Sequence, residues 1–266
     1  LGIETTTIAG LTLEAIKNKY VNTTIVELAF MLMREVRAVK SDDEIATLIR
    51  CAKLAEVGQE AVRQLVQNVG KTEIEIYSQA KATMEASIGG RFALQNALHA
   101  GKNSQSPFPG MPTDYVTQAG DLIISDMVPY YDGYWGDTCS SFVVGGEDTI
   151  TAEHRKMRQI AEDAFNIGFE AVKPGVSAGE IDRVVRGYIE KQGYTYPHHT
   201  GHGLGVSNQD EPRIIIDATL PLEENMVIVL EPPVYVPDFG GVRLERMFRV
   251  TVDGAVLISH NSFDLA

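Results

Sequence analysis

Cysteine is nearly absent: Cys51 and Cys139 are the two among 266 residues. That is too few for a disulfide framework and points to a reducing cytoplasmic setting. Basic residues are also short, with 23 Lys and Arg against 36 Asp and Glu and a formal net charge of -13. Such a chain advertises no phosphate-binding face, which argues against nucleic acid as a partner. No uncharged apolar run approaches the roughly 18 to 20 residues needed to span a bilayer, and no charged-then-apolar leader opens the chain. The expectation is a soluble, unexported protein with no membrane partner, acting on a small molecule or peptide. Histidine is sparse as well, six in all, with none between His99 and His154.

What is present is ample apolar content, 44% of the residues, enough to bury one large domain or two small ones. The chain opens on Leu1, and the segment to about residue 34 stands apart from the patterned remainder, as the product of trimming would. The informative residues are five, in the order Asp126, Asp137, His202, Glu231 and Glu245. Asp126 closes the apolar run from Asp121, and Glu231 closes Met226-Val-Ile-Val-Leu. A carboxylate that follows residues seeking burial needs a partner, because a lone buried charge is costly.

Turn signals pair these acids. Tyr131-Asp132-Gly133 lies midway between Asp126 and Asp137, and Pro237-Asp238-Phe239-Gly240-Gly241 lies midway between Glu231 and Glu245. Each acidic pair is therefore expected to face across an antiparallel hairpin, with Cβ atoms roughly 5 Å apart, where like charges repel unless a cation lies between them. Four carboxylates balance two dications. His202, in Gly201-His202-Gly203-Leu204-Gly205, can add a neutral imidazole nitrogen where glycine lets the backbone come close. One imidazole among carboxylates suits manganese, cobalt, iron or zinc.

The chain also repeats itself. Gly58-Gln-Glu-Ala-Val, then Gly70 and Glu75-Ile76, match Gly168-Phe-Glu-Ala-Val, then Gly175 and Glu180-Ile181. In each copy a long helix, Ser41 to about Val69 and Thr151 to Val172, precedes a second, Thr72 to about Ser87 and Ala178 to Gln192. An acidic hairpin follows each helix pair. The pattern predicts two helix-helix-strand halves whose strands share one concave face, with helices on the other side.

With these motifs in place, the chain resembles the pita-bread metallohydrolases, which include prolidase, Xaa-Pro aminopeptidase, methionine aminopeptidase and creatinase, and most of all the prolidase and Xaa-Pro aminopeptidase branch. The resemblance runs from about Arg34 to Ser259 and is carried by Gly120 to Asp126, Gly133 to Thr138, Gly201 to Gly205, Glu231-Pro232 and Gly240 to Glu245. It implies an α+β pita-bread fold with a curved antiparallel sheet. Residues 1–34 would be the residual end of an N-terminal creatinase-like domain, and residues 35–266 the catalytic domain. It implies two divalent ions, manganese or cobalt first and zinc or iron next. Asp126 would hold one, His202 and Glu231 the other, and Asp137 and Glu245 would bridge them.

The resemblance further implies that His198 and Arg243 lie beside the substrate, that Glu231 shuttles protons, and that the protein is a homodimer. Three positions depart from the pattern. The family histidine upstream of the first Asp ligand falls on Phe108, a second falls on Gln209, and Ser140 replaces an arginine. Those histidines bind peptide and stabilise its tetrahedral intermediate, and Gln209 could still donate a hydrogen bond. Three functions follow: a dinuclear Xaa-Pro dipeptidase or aminopeptidase-like amide hydrolase, a hydrolase of a small C-N compound on the same scaffold, or a catalytically silent peptide-binding homologue. Tyr134 and Trp135 read as strand core, and His99, His154, His199 and His260 as structural, supporting or exposed residues.

Overall fold

Four long helices begin where a side chain can close the first turn. The computed structural model describes residues 1–3, 8–26, 35–107 and 110–266, so Phe108 lies outside the described residues. A short exposed helix, α1 (Gly10–Lys19), buries no residue. The long helices are α2 (Asp42–Leu65), α3 (Glu73–Ile88), α4 (Ala152–Ala171) and α5 (Ala178–Lys191). Each carries a complete capping box: Ser41 with Glu44, Thr72 with Glu75, Thr151 with His154, and Ser177 with Glu180. These reciprocal bonds satisfy amides that the first helical turn leaves unpaired. The repeat is thus visible at the caps, where Ser41 matches Thr151 and Thr72 matches Ser177. α2 stops at Leu65, four residues short of the expected Val69, and Val66 caps it.

The strands form two half-sheets. In the first, β2 (Leu122–Tyr131) pairs with β1 (Ala93–Ala100) on one side and with β3 (Tyr134–Trp135) and β4 (Thr138–Val143) on the other. The second has the order β11-β10-β7-β5-β6, from β5 (Gly201–Gly203), β6 (Asp210–Ile214), β7 (Val227–Leu230), β10 (Arg246–Thr251) and β11 (Gly254–Leu257). A separate ribbon joins β8 (Pro233–Val236) to β9 (Gly240–Arg243). All of these ladders are antiparallel. One bridge, Cys139 with Glu245, links the two halves of the sheet.

The second hairpin has the expected register. Pro233 pairs with Arg243 and Leu230 with Arg246, so Glu231 and Glu245 fall opposite each other in the gap between the two ladders. The first hairpin does not. Cys139, not Asp137, stands opposite Asp126. The cause is the turn: Asp132 (φ 53) and Gly133 (φ 84) both take left-handed backbone, as a two-residue type I′ turn requires, which moves the axis by one residue. Asp137 is instead diagonal to Asp126, beside the break between β3 and β4.

Packing follows the duplication. Leu98, Ile123, Met127 and Phe142 of the first half-sheet bury against α2 and α3 through Leu54, Val62, Ile76 and Met84. A second core gathers Phe165, Ile181 and Val185 of α4 and α5 onto Ile228, Leu230 and Phe248, and it also takes in Leu122 and Val143 from the first half. Gln59 pins α2 to the sheet, its Nε2 donating to the carbonyls of Ser125 (2.9 Å) and Thr138 (2.8 Å). Tyr134 and Trp135 are half-buried and so are not core residues; Tyr134 Oη bonds Glu44 at 3.1 Å, and Trp135 leans on Tyr130.

Candidate metal centre and active site

The concave side of the half-sheets holds a cavity of about 260 Å³ whose wall includes Asp126, Asp137, His198, His199, His202, Gln209, Glu231, Arg243 and Glu245. Every residue singled out in the sequence for the site, apart from the undescribed Phe108, therefore reaches one place. Asp126 comes from the middle of β2, and Asp137 from the step into β4. Glu231 directly follows β7, Glu245 lies between β9 and β10, and His202 is the centre of β5. β5 can carry a histidine here because its neighbours are glycines. A Cβ on Gly201 would overlap the Val229 carbonyl, and one on Gly203 the Glu211 carbonyl.

His202 is buried, and burial pushes its imidazolium down to about 4, so the ring is neutral at pH 7. Its Nδ1 lies 2.9 Å from the Gly203 carbonyl, an acceptor only, so Nδ1 carries the hydrogen. Nε2 therefore turns a lone pair toward Asp137 Oδ2 and Glu231 Oε1, each 3.7 Å away. Two clusters of donor atoms, His199 with His202 and Glu231, and Asp137 with His202 and Glu245, lie close enough to share an ion.

The acids are poorly compensated by protein. Asp137 and Glu245 are pushed well above the ordinary carboxylate range, first by burial and then by the charges of Asp126 and Glu231, with Asp137 adding to the rise of Glu245 while a hydrogen bond with Glu245 partly opposes that of Asp137. Burial also raises Asp126, against the pull of Arg243, whose Nη2 donates to Asp126 Oδ2 at 2.6 Å. Asp126 Oδ1 and Glu245 Oε1 are buried with no hydrogen-bond partner. Glu231 goes the other way. Burial would raise it, but the hydrogen bond with His199 and the neighbouring imidazoles hold it well below that range.

Arg243 is 4% exposed and also donates through Nη1 to Tyr235 Oη at 3.1 Å. That hydroxyl in turn lies 3.2 Å from His198 Nε2, while His198 Nδ1 donates to the His199 carbonyl at 2.7 Å. Tyr235, which the sequence reading passed over, thus fixes both residues expected beside the substrate. His199, expected to be no more than supporting, places Nε2 2.7 Å from Glu231 Oε1. Gln209 is exposed at the cavity rim, next to Asn208, whose amide donates to Gln95 Oε1 at 3.0 Å. His99 bonds the Gly110 carbonyl, His154 closes a capping box and His260 is exposed, all as expected for residues outside the chemistry.

Residues 46–252, most of the chain, match the model of metallopeptidase family M24. The chain belongs to that family. M24 peptidases work with two divalent ions, in keeping with the donor clusters. The chain is 30% identical over 257 residues to the Xaa-Pro dipeptidase of Lactobacillus helveticus, covering 94% of this chain and 67% of that protein. It is 29% identical to the Xaa-Pro dipeptidase of Pyrococcus furiosus, covering 88% and 66%. The prolidase from Pyrococcus horikoshii OT3 superposes with a TM-score of 0.90 at 27% identity, over 100% of this chain and 75% of that one. The fold is accordingly the pita-bread fold of M24 prolidases. The chain spans about two thirds of the length of the curated M24 relatives it matches. No helix among the described residues is long and apolar enough to cross a membrane.

Proposed function

We propose that residues 35–266 form the catalytic region of a dinuclear metal-dependent amide hydrolase acting on Xaa-Pro dipeptides or on Xaa-Pro peptide ends. The observation that carries this is the convergence of four carboxylates and a neutral imidazole on one cavity, with Arg243 and His198 in its wall. The donor set fits a pair of dications. Two of the site's buried carboxylate oxygens lack partners, and burial together with packed like charges holds the pKa values of Asp137 and Glu245 well above the ordinary range, a cost that bound cations would relieve. In this assignment Asp126 would hold one ion, His202 and Glu231 would hold the other, and Asp137 and Glu245 would serve both. Manganese or cobalt is preferred, with zinc or iron compatible. Bound there, such ions would polarise an amide carbonyl and acidify the attacking water toward neutral pH.

The chain's own groups do the rest. Glu231 is kept ionised, so it can take a proton and return it to the leaving nitrogen. Arg243 presents a permanent charge at the wall, oriented by Asp126 and Tyr235, to hold the substrate and answer negative charge growing on its carbonyl oxygen. His198 orients the substrate beside it, and Gln209 can donate from the rim. The decisive assay is proline release from a panel of Xaa-Pro dipeptides after loading with manganese or cobalt. Release should require the metal and should fall at least about 100-fold in Glu231→Gln; unchanged turnover in that variant removes Glu231 from catalysis.

A second function, hydrolysis of a small C-N compound, is favoured by one feature. Where the resemblance places one family imidazole, the rim carries the neutral amide of Gln209, beside Asn208, which is tied to Gln95. Failure on every dipeptide, with turnover of small amides, would select it.

A further inference from the structure

We propose that His199 is a direct metal ligand, joining His202 and Glu231 so that one ion of the pair is held by two imidazole nitrogens. The proposal rests on the dinuclear site above and adds a donor that the resemblance does not supply. His199 lines the same cavity and places Nε2 2.7 Å from Glu231 Oε1, within hydrogen-bond distance, whereas His202 Nε2 stands 3.7 Å from that oxygen. The donor atoms of His199, His202 and Glu231 all lie within 4.8 Å of one another. Two donors each about 2.1 Å from a shared ion in tetrahedral array stand about 3.4 Å apart. The observed separations, 2.7 Å from His199 to Glu231 and 3.7 Å from His202 to Glu231, bracket that value. The two rings meet edge to face, at 75° with centroids 5.5 Å apart, so both nitrogens can converge without the rings colliding.

The consequence is an asymmetric pair. One ion would see two nitrogens and a carboxylate, and the other only the oxygens of Asp126, Asp137 and Glu245. Imidazole-rich sites favour zinc, cobalt or iron, whereas oxygen-rich sites tolerate manganese. His199 would thereby make the two positions select different metals.

Loss of a residue that merely supports a ligand also lowers metal affinity about 10- to 100-fold, so affinity by itself does not discriminate. The test is the proton NMR spectrum of the intact protein loaded with two equivalents of cobalt(II), in which only imidazoles bonded to the ion give strongly hyperfine-shifted ring signals. Two imidazole sets are expected, one of which disappears in His199→Gln. Calorimetry on that variant should show one of two zinc affinities weakened about 10-fold or more, and manganese binding changed less. Two cobalt ions bound with a single imidazole set would overturn His199 ligation and leave the dinuclear site standing. No bound cobalt by elemental analysis would overturn both. The wild-type spectrum decides the matter even if the variant fails to fold.

Discussion

A carboxyl group buried among its own kind keeps its proton, which gives this protein an unusual pH dependence. Asp126, Asp137 and Glu245 all have folded-state pKa values above their ordinary ones. Their contribution to stability is therefore full in acid and is lost as pH rises through the folded values. His202, lowered to about 4, and Glu231, also lowered, act oppositely: their contribution is present above the ordinary histidine and carboxylate pKa values and is lost as pH falls through the folded ones. Above about pH 6.5 those two are silent. Metal-free protein should consequently melt at a higher temperature at pH 6.5 than at pH 8, and added manganese should abolish or reverse the difference. A metal-free melting temperature that rises with pH in this window would contradict the clustered-acid account. Arg243 offers a second check. A lysine there can reach Asp126 or Tyr235 but not both, so Arg243→Lys should lower kcat/KM about 10- to 100-fold while leaving the metal content at the wild-type level. The four acids and the imidazole, with Arg243 and His198, were legible because their residue types and order are constrained by chemistry. Tyr235 and His199 were not, since a tyrosine in an apolar strand and a histidine beside two others carry no signal until the strands are placed.

At the scale of elements, the helices were the most readable part of the chain because each start is written in a capping pair. Thr151→Ala should cost about 1 kcal/mol, read as a lower urea midpoint with an unchanged slope. β5 is less forgiving. Gly203→Ala would drive a methyl into the Glu211 carbonyl, so a loss of about 2 kcal/mol or more is expected, together with weaker metal binding as His202 shifts. The hairpins divided in legibility for a local reason. Gly240 and Gly241 framed a turn whose centre could be counted, and Glu231 and Glu245 do face each other. In the first hairpin, a run of Tyr-Asp-Gly left open whether two or three residues turn, and the choice moved Asp137 to a diagonal position. The breaks between β3 and β4 and between β7 and β8 were equally hidden, because an apolar run looks alike on both sides of a gap.

For the whole molecule, two similarly built halves share a core yet meet at a site to which neither contributes enough. Asp126 and Asp137 belong to the first, His202, Glu231 and Glu245 to the second. Ions bound at this junction stabilise the native state by mass action, so at a hundred times the dissociation constant they should add about 3 kcal/mol. Chelation should then lower the melting temperature by about 5 °C or more for a chain of this size. The bridge between Cys139 and Glu245 gives that figure a location. Its two bonds, 2.8 and 3.3 Å, join the half-sheets through the backbone of a candidate ligand. Ions would act on that bridge as rivets through a seam. When they are withdrawn, the amide hydrogens of Cys139 and Glu245 should trade with solvent sooner than those of the strands on either side.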